Sequence, residues 1–310
     1  MEALTQIDSE AGRSSAPQPI IIATDGTRQS AGALAVGRAV AVSLGTTAHV
    51  VAAQRSLRLI VPDARLLLDS DALSELTEDL RRRVREQCAM ASNGAESAAL
   101  LEPVVEDGEP DQVISRVAED VGAQMVVVGL GRHDILDRIF GGETTLKIAQ
   151  RSSAPVLAVP ERSRLLPRSA AVAMDFSEPS IAAVGQTARL LPPGSVLNLV
   201  HVVPRERMLL DPWLSDREYE RLVHHRFSRL RDSLSALPNV TLNEVIRTGD
   251  VARTLIGYAD ATNSELIAAG SHGHGFVARR LLGSVTTALL RAATSMVLIV
   301  PPRGVPHAQK

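Results

Sequence analysis

Three glycines and a serine after one apolar run have the types and spacing of an anion-binding loop. In the stretch AAGSHGHGFVARRLLGSVTT, the glycines with this spacing are those at 270, 273 and 283, and Ser284 follows the last of them. Glycine lets backbone N–H groups approach a ligand with no Cβ in the way. A helix beginning near Ser284 would direct its unpaired N–H groups and the positive end of its dipole at the same place. These features suit a phosphate, although strand-to-helix turns also use Gly and Ser for geometry alone.

Composition narrows the classes of protein to which the chain can belong. Its 310 residues are enough for two ordinary domains, and 45% of them are apolar, which supports substantial cores. A net charge of −2 gives no electrostatic basis for binding nucleic acid or an anionic membrane. Cys88 is the single cysteine, which excludes an intrachain disulfide and a cysteine-rich zinc site. No apolar run approaches the roughly 20 residues of a membrane span, and we expect a cytoplasmic protein.

The chain contains two copies of one unit. The segment PIIIATDGTRQSAGALAVGRAVAVSLG is followed later by RSAAVAMDFSEPSIAAVGQTARLLPPG, which has the same order of apolar strand, Asp and Ala-rich helix. Asp25 and Asp175 stand at matching points, 150 positions apart. Each copy ends with a glycine-bearing loop, a short helix and an apolar strand, APVLAVP or SMVLIVP. The spacing of the glycines alone predicts that Gly131 and Gly141 match Gly273 and Gly283, at an offset of 142.

This repeat divides the chain into a disordered leader at 1–17, one domain at 18–160, a linker at 161–168, a second domain at 169–302 and a tail at 303–310. In each domain, apolar strands alternate with amphipathic helices, a pattern typical of a parallel sheet covered on both faces. Right-handed crossovers then predict an α/β fold of two doubly wound, five-stranded parallel sheets. The predicted strands lie near Ile20–Ala23, Ala48–Ala53, Leu101–Val105, Met125–Val128, Val156–Val159, Ala170–Met174, Leu197–Val202, Thr241–Ile246, Leu266–Ala269 and Met296–Val300.

The glycine spacing also resembles a known family motif. Gly270-x-x-Gly273, nine residues and then Gly283-Ser284 is similar to the ATP-binding motif of universal stress proteins. Asp175 after the first strand and VHVVP at the end of the second strengthen the resemblance, which extends over both copies. It implies a tandem universal stress protein with a Rossmann-like fold, similar to that of adenine nucleotide alpha hydrolases. In this family the last strands of two copies commonly pair, which implies a pseudo-dimeric arrangement.

For the second copy, the resemblance implies a site for ATP, alone or with Mg²⁺ on its phosphates. Asp175 would hydrogen-bond the nucleoside, and Val202 would lie against adenine. The loop would pass along the base and ribose and present backbone groups to the phosphates, with added hydroxyls from Ser284 and Thr286. Its residues are Ala269, Gly270, Gly273, Gly283, Ser284, Val285 and Thr286.

The first copy keeps Asp25 but departs from the motif elsewhere. Its opening glycines, Gly129 and Gly131, are one residue closer together than the motif requires, and Gly142 replaces the hydroxyl residue. Glu143 follows, and a carboxylate near a phosphate site works against an anion. Between the glycines, the first copy balances two arginines with two aspartates, whereas the second has two arginines and no acid. We therefore expect the second copy to bind ATP more strongly; the first-copy candidates are Asp25, Gly129, Gly131, Gly141, Gly142 and Thr144.

Three functions are compatible with these features. One is a regulatory protein of the stress response, in which nucleotide occupancy changes conformation or the affinity for an unknown protein partner. Another is a slow ATPase or nucleotide hydrolase in the same pocket, although no general base stands beside Ser284 to orient water. The third is an interaction module that needs no nucleotide. The expected partners are an adenine nucleotide, an unidentified protein and a second tandem chain in a homodimer, with neither nucleic acid nor membrane.

Overall fold

The computed structural model describes residues 17–54, 70–91, 102–131, 141–205, 215–234, 240–273 and 282–302. The predicted leader, apart from Pro17, and the predicted tail lie outside the described residues.

The first copy alternates strands and helices along its whole described length. In order, its elements are β1 (Ile20–Ala23), a short 3-10 turn at Arg28–Ser30, α1 (Ala31–Ser43), β2 (Ala48–Gln54), α2 (Ser70–Ala91), β3 (Val104–Asp107), α3 (Pro110–Asp120), β4 (Met125–Leu130), α4 (Gly141–Arg151) and β5 (Val156–Pro160).

The second copy repeats that order. Its elements are β6 (Ser169–Ala173), α5 (Glu178–Leu190), β7 (Ser195–Val203), α6 (Asp216–Leu234), β8 (Val240–Thr248), α7 (Val251–Thr262), β9 (Leu266–Gly270), α8 (Ser284–Ala292) and β10 (Met296–Val300).

Burial on both faces of the sheet explains why the strands are continuously apolar. All four residues of β1 are buried. Ile20 and Ile22 join a core cluster with side chains of α1, α2, α5 and α6. Ile21 and Ala23 point the other way and join a cluster with side chains of α3, α4, α7 and α8. The sheet therefore lies between two helical layers, as strands without alternating polarity predict.

The described strands form one open ten-stranded sheet. Its order is β3-β2-β1-β4-β5-β10-β9-β6-β7-β8. Within each copy the five strands are parallel, which confirms the predicted doubly wound fold. At the junction of the copies β5 and β10 are antiparallel, with Leu157 opposite Leu298. This pairing of last strands is the pseudo-dimeric arrangement that the resemblance implies.

The third strand differs most from its prediction. It was expected near Leu101–Val105 and is observed at Val104–Asp107. Its position follows from pairing with β2, which aligns Gln54 with Asp107. Because β3 is at the edge of the sheet and half-exposed, its own apolar content does not determine where it begins.

Candidate functional site

The candidate residues meet at the carboxyl edge of the sheet where the direction of winding reverses. β6 has β7 on one side and β9 on the other. The loops that follow β6 and β9 lead into helices of opposite layers, so a crevice opens between them; this is where α/β sheets bind ligands. Asp175 follows β6, Val202 lies near the end of β7, and Gly270 ends β9. The structure therefore brings these three predicted residues to one edge.

Asp175 is held in a tight turn by the hydroxyl residue two positions later. Its Oδ1 accepts hydrogen bonds from the backbone N–H of Ser177 at 2.9 Å and from the Ser177 hydroxyl at 2.5 Å. In the first copy, Oδ1 of Asp25 accepts from the N–H and hydroxyl of Thr27 at 2.9 and 2.7 Å. The acidic position is thus built in the same way in both copies, with the carboxylate oriented by its own chain.

The residue after each aspartate has a left-handed backbone. Gly26 has φ of +71° and Phe176 has φ of +63°. This conformation is ordinary for glycine and unfavourable for a phenylalanine. The Phe176 ring is packed against His201 and Phe227, with ring centroids 5.3 and 5.0 Å apart. These contacts stabilise the strained turn that places Asp175.

Buried His201 anchors the same turn. Its Nδ1 lies 2.7 Å from the carbonyl oxygen of Met174, so that nitrogen carries the proton and donates it. Its Nε2 lies 2.7 Å from the hydroxyl of Tyr219, which comes from α6. This cluster was not predicted. The signal for it in the sequence was an aromatic residue directly after Asp175 together with a histidine inside an apolar strand.

Gly270 lacks a side chain because a helix lies against it. A Cβ at this position would stand 2.6 Å from the Cβ of Pro179 and 3.0 Å from the backbone nitrogen of Ser180, both in α5. At Gly129, at the end of β4, a Cβ would stand 3.3 Å from the carbonyl oxygen of Gln29. Close packing is therefore one reason for glycine at these two positions, and contact of their backbone with a ligand stays a prediction.

Gly273 has a different neighbour, the predicted nucleoside-binding carboxylate. A Cβ on Gly273 would stand 2.7 Å from Oδ2 of Asp175. The glycine thus allows the loop after β9 to close against the turn after β6. Ser271, between the two glycines, is buried, and its hydroxyl lies 2.9 Å from Nδ1 of His272.

The first turn of α8 has backbone donors with no acceptor in the part of the chain that the structure describes. The N–H of Gly283 donates to the carbonyl of Ser271 at 3.0 Å, and no side chain caps the helix. Among the described residues, none accepts a hydrogen bond from the N–H groups of Ser284, Val285 or Thr286. Three donors and the positive end of a helix dipole together can hold an anion.

The hydroxyl of Thr286 links the start of α8 to the end of β9. It is buried and donates to the carbonyl of Gly270 at 3.1 Å, with the carbonyl of Ser271 at 3.4 Å. That this hydroxyl also adds to the phosphate contacts stays a prediction. Its backbone N–H stays a predicted contact.

The corresponding bond in the first copy corrects the alignment of the two loops. The hydroxyl of Thr145 donates to the carbonyl of Gly129 at 3.1 Å, as Thr286 does to Gly270. The offset between the copies here is therefore 141, and the predicted offset of 142 is wrong by one residue. The corrected register pairs Gly142 with Gly283, Glu143 with Ser284, Thr144 with Val285, and Gly131 with His272.

Glu143 therefore stands where the second copy has Ser284, in the first turn of α4. Its side chain is 58% exposed, and its Oε2 lies 3.8 Å from Nζ of Lys147 one turn along. The carboxylate can stabilise the positive end of its own helix, as an anionic ligand would. The first copy thus supplies from its own chain a negative charge that Ser284 does not supply in the second copy.

An apolar surface lies beside the donors of the second copy. Val202 and Ala269 are 7% and 3% exposed and belong to the same core cluster. Leu282 is 9% exposed in that cluster, and Val285 packs against it. Leu282 was missed as a candidate because a leucine before a glycine has no sequence signature. Because these side chains are almost wholly buried, the contact of Val202 with adenine stays a prediction.

Some of the predicted charged residues are not among those that the structure describes. The arginines predicted to favour phosphate, Arg279 and Arg280, lie outside the described residues, as does the whole first-copy insert at 132–140.

Within the described ranges, no group of three or more His, Cys, Asp and Glu could hold a metal ion. No helix in those ranges has the length and apolar content to cross a membrane. Burial, and to a lesser extent the charge of Glu102, raises the pKa of the Cys88 thiol to about 11.

Comparison with known proteins identifies the relatives of this chain. The model of the Universal stress protein family matches residues 17–160 and 168–301. A universal stress protein from Archaeoglobus fulgidus DSM 4304 has 18% identity, covers 92% of this chain and 96% of its own, and has a TM-score of 0.63. A protein of unknown function from Pseudomonas aeruginosa PAO1 has 13% identity, covers 92% of each chain and has a TM-score of 0.57. At these low identities, the similarity to the two solved structures shows that this chain has their fold and shows no more than that.

Another solved structure covers a smaller part of the chain. A universal stress protein from Arabidopsis thaliana with AMP bound has 15% identity, covers 44% of this chain and 94% of its own, and has a TM-score of 0.31. That score is too low to carry an inference to this chain. No curated protein matches the sequence.

Proposed function

The chain belongs to the universal stress protein family, and from that premise we propose that it is an ATP-binding regulatory protein of the stress response. The observation that carries the proposal is the first turn of α8, whose three backbone donors have no acceptor among the described residues. The carboxylate of Asp175 lies across the crevice, against Gly273. Donors for phosphate and an acceptor for the ribose would then belong to one crevice.

The second copy is proposed as the stronger site. Glu143 supplies a carboxylate at the helix terminus of the first copy, where the second copy has the neutral Ser284. A charge there repels a phosphate and already satisfies part of the helix dipole. Asp25 keeps its turn in the first copy, so nucleoside recognition without phosphate is compatible with that site.

Occupancy is the proposed mechanism of regulation. A ligand that bridges the turn after β6 and the start of α8 would favour the conformation in which both are in place. The size of the effect is the difference in ATP affinity between the two conformations. Hydrolysis is not part of the proposal, since Oδ1 of Asp175 already accepts two hydrogen bonds from Ser177 and Asp175 lies at the nucleoside end.

Exchanging Ser284 and Glu143 between the copies tests this function. In calorimetric titration of the full chain with ATP, Ser284→Glu should weaken the stronger site at least about tenfold, and adenosine affinity should change little. The matched variant Glu143→Ser should add or strengthen a second ATP site. The proposal fails if the wild-type chain binds no adenine nucleotide, or if Ser284→Glu leaves ATP affinity unchanged. Multiple-turnover phosphate release from the wild type would support the enzymatic alternative.

A further inference from the structure

A cavity of about 900 Å³ lies in the first copy between α1, α2 and the segment that joins the two copies. We call it the α1–α2 groove. Its lining residues all belong to the described part of the chain, and they are separate from the predicted loop residues of both copies. Its volume is within the range of sites for small molecules.

The walls of the groove are largely apolar. From α1 come the small side chains of Ala35 and Ala39, which leave room between the helices. At the far end, Val42 is 43% exposed and Met90 of α2 is 75% exposed. Leu166 of the joining segment completes the wall. Two apolar side chains are thus left in contact with solvent along one cavity, where a ligand could cover them.

One end of the groove is cationic. Arg28 and Arg83 line it beside the Gly26–Thr27 turn. Nε of Arg83 lies 3.1 Å from Oδ2 of Asp79, whereas Arg28 forms no ion pair with any described residue. Along the whole groove, four arginines face two glutamates: Arg28, Arg38, Arg83 and Arg164 against Glu86 and Glu161. Asp79 offsets the charge of Arg83, so the groove combines apolar walls with one cation, Arg28, that has no ion pair among the described residues.

Polar contacts fix α2 in place at that end. Gln87 of α2 donates from Nε2 to the carbonyl of Thr27 at 2.6 Å and accepts at Oε1 from the hydroxyl of Thr24 at 2.6 Å. At the other end, Nη1 of Arg38 donates to the carbonyl of Ala91 at 2.5 Å. These bonds fix α2 against α1 and the turn, so the groove is formed before any ligand binds.

We propose that the α1–α2 groove binds a long-chain carboxylate, with the carboxylate at Arg28 and Arg83 and the alkyl chain along Ala35 and Ala39 toward Val42 and Met90. The 13 residues of α1 extend about 20 Å, which sets the length of chain that can be accommodated. A helix of a protein partner fits less well, because a helix about 10 Å across would fill this volume within about two turns.

Calorimetry of the full-length protein with decanoate, dodecanoate and tetradecanoate tests the proposal. Each added methylene that enters the groove should tighten binding about fourfold. Dodecanol, which has the same chain without the charge, should bind more weakly than dodecanoate. Absence of binding for all three carboxylates, or affinity that does not change with chain length, would overturn the proposal.

Variants locate the ligand. Arg28→Gln should weaken dodecanoate binding about tenfold and leave dodecanol unchanged, whereas Arg253→Gln, on the exposed face of α7, should change neither. Ala39→Trp should abolish binding by filling the groove, and Ala261→Trp on α7 is the matched control. Should Ala39→Trp fail to fold by circular dichroism, Val42→Asp at the exposed rim gives the same test.

A second copy of the chain is the rival occupant of the groove. In that case light scattering would show a dimer, Val42→Asp would dissociate it, and calorimetry would detect no carboxylate binding. That result, or dodecanoate binding that survives both Ala39→Trp and Val42→Asp, contradicts the proposal.

Discussion

Phe176 shows how much of this site depends on side chains that do not touch the proposed ligand. Its left-handed backbone costs about 1–2 kcal/mol relative to glycine. Contacts of its ring with His201 and Phe227 offset that cost. In the first copy, the same turn has Gly26 and needs no such contacts. The second copy therefore places its carboxylate with a packed aromatic cluster, and the first with a flexible residue.

Substitution of Phe176 should separate strain from packing. Phe176→Ala keeps the left-handed strain and loses the ring contacts, so we expect the free energy of unfolding to fall by about 2–4 kcal/mol. Phe176→Gly loses the same contacts but relieves the strain, and it should be about 1 kcal/mol more stable than the alanine variant. Urea denaturation measures both values. An alanine variant as stable as the glycine variant would show that the turn is not strained.

At the scale of residues, the sequence indicates the polar residues of the candidate site better than it indicates the contacts that hold them in place. Asp175, Gly273 and Ser284 could be predicted because carboxylates, glycines and hydroxyls after apolar strands are recognisable. The roles of Gly270 and Thr286 could not, because each depends on an atom far away in the sequence: Pro179 for the glycine and the Gly270 carbonyl for the hydroxyl.

At the scale of elements, the helices that follow the first strand of each copy pack differently. In α1, a Cβ on Gly32 would stand 2.1 Å from the carbonyl oxygen of Pro160, at the end of β5. In α5, a Cβ on Gly185 would meet nothing within 4 Å. Gly32 is thus required because α1 and β5 approach closely at this point. Gly185 has no such close neighbour and is not required by packing.

The two glycine-to-alanine variants should change stability in opposite directions. Gly32→Ala must move α1 away from β5, and we expect a loss of about 1–3 kcal/mol in the free energy of unfolding. Gly185→Ala restricts the unfolded chain and should gain up to about 1 kcal/mol. Guanidinium denaturation of both variants beside the wild type gives the comparison. Stabilisation by Gly32→Ala would mean that the contact with Pro160 is not made.

The order of strands and helices could be predicted from the sequence, but the alignment of the two loops could not. Strands buried on both faces leave long apolar runs that repeat along the chain, which reveals the fold. Adjacent glycines at 141–142 and threonines at 144–145 allow two alignments one residue apart. The hydrogen bond from Thr145 to Gly129 selects between them.

For the whole molecule, the antiparallel contact of β5 with β10 joins two similar halves into one sheet. Leu298, opposite Leu157, is fully buried at this junction. We expect Leu298→Ala to lower the free energy of unfolding by about 2–5 kcal/mol and to reduce hydrogen-exchange protection in β4 as well as in β9. Loss of protection confined to the second copy would show that the halves are energetically independent.

The halves share a fold but differ in charge at the helix terminus that faces the crevice. Glu143 in the first copy and Ser284 in the second are the residues on which the proposed asymmetry depends. Under the proposed function, the second half would respond to a triphosphate while the first maintains the sheet and carries the α1–α2 groove.

Amide chemical shifts of the full-length protein, recorded by NMR during titration with ATP, test the central claim most directly. If the backbone donors of α8 bind the phosphates, the amides of Ser284, Val285 and Thr286 shift first and furthest, and adenosine alone shifts them little. The amides of Glu143, Thr144 and Thr145 serve as the internal control and should respond only at higher ATP concentration. Unchanged amides at 284–286 under saturating ATP, or larger shifts at 143–145, would contradict the account.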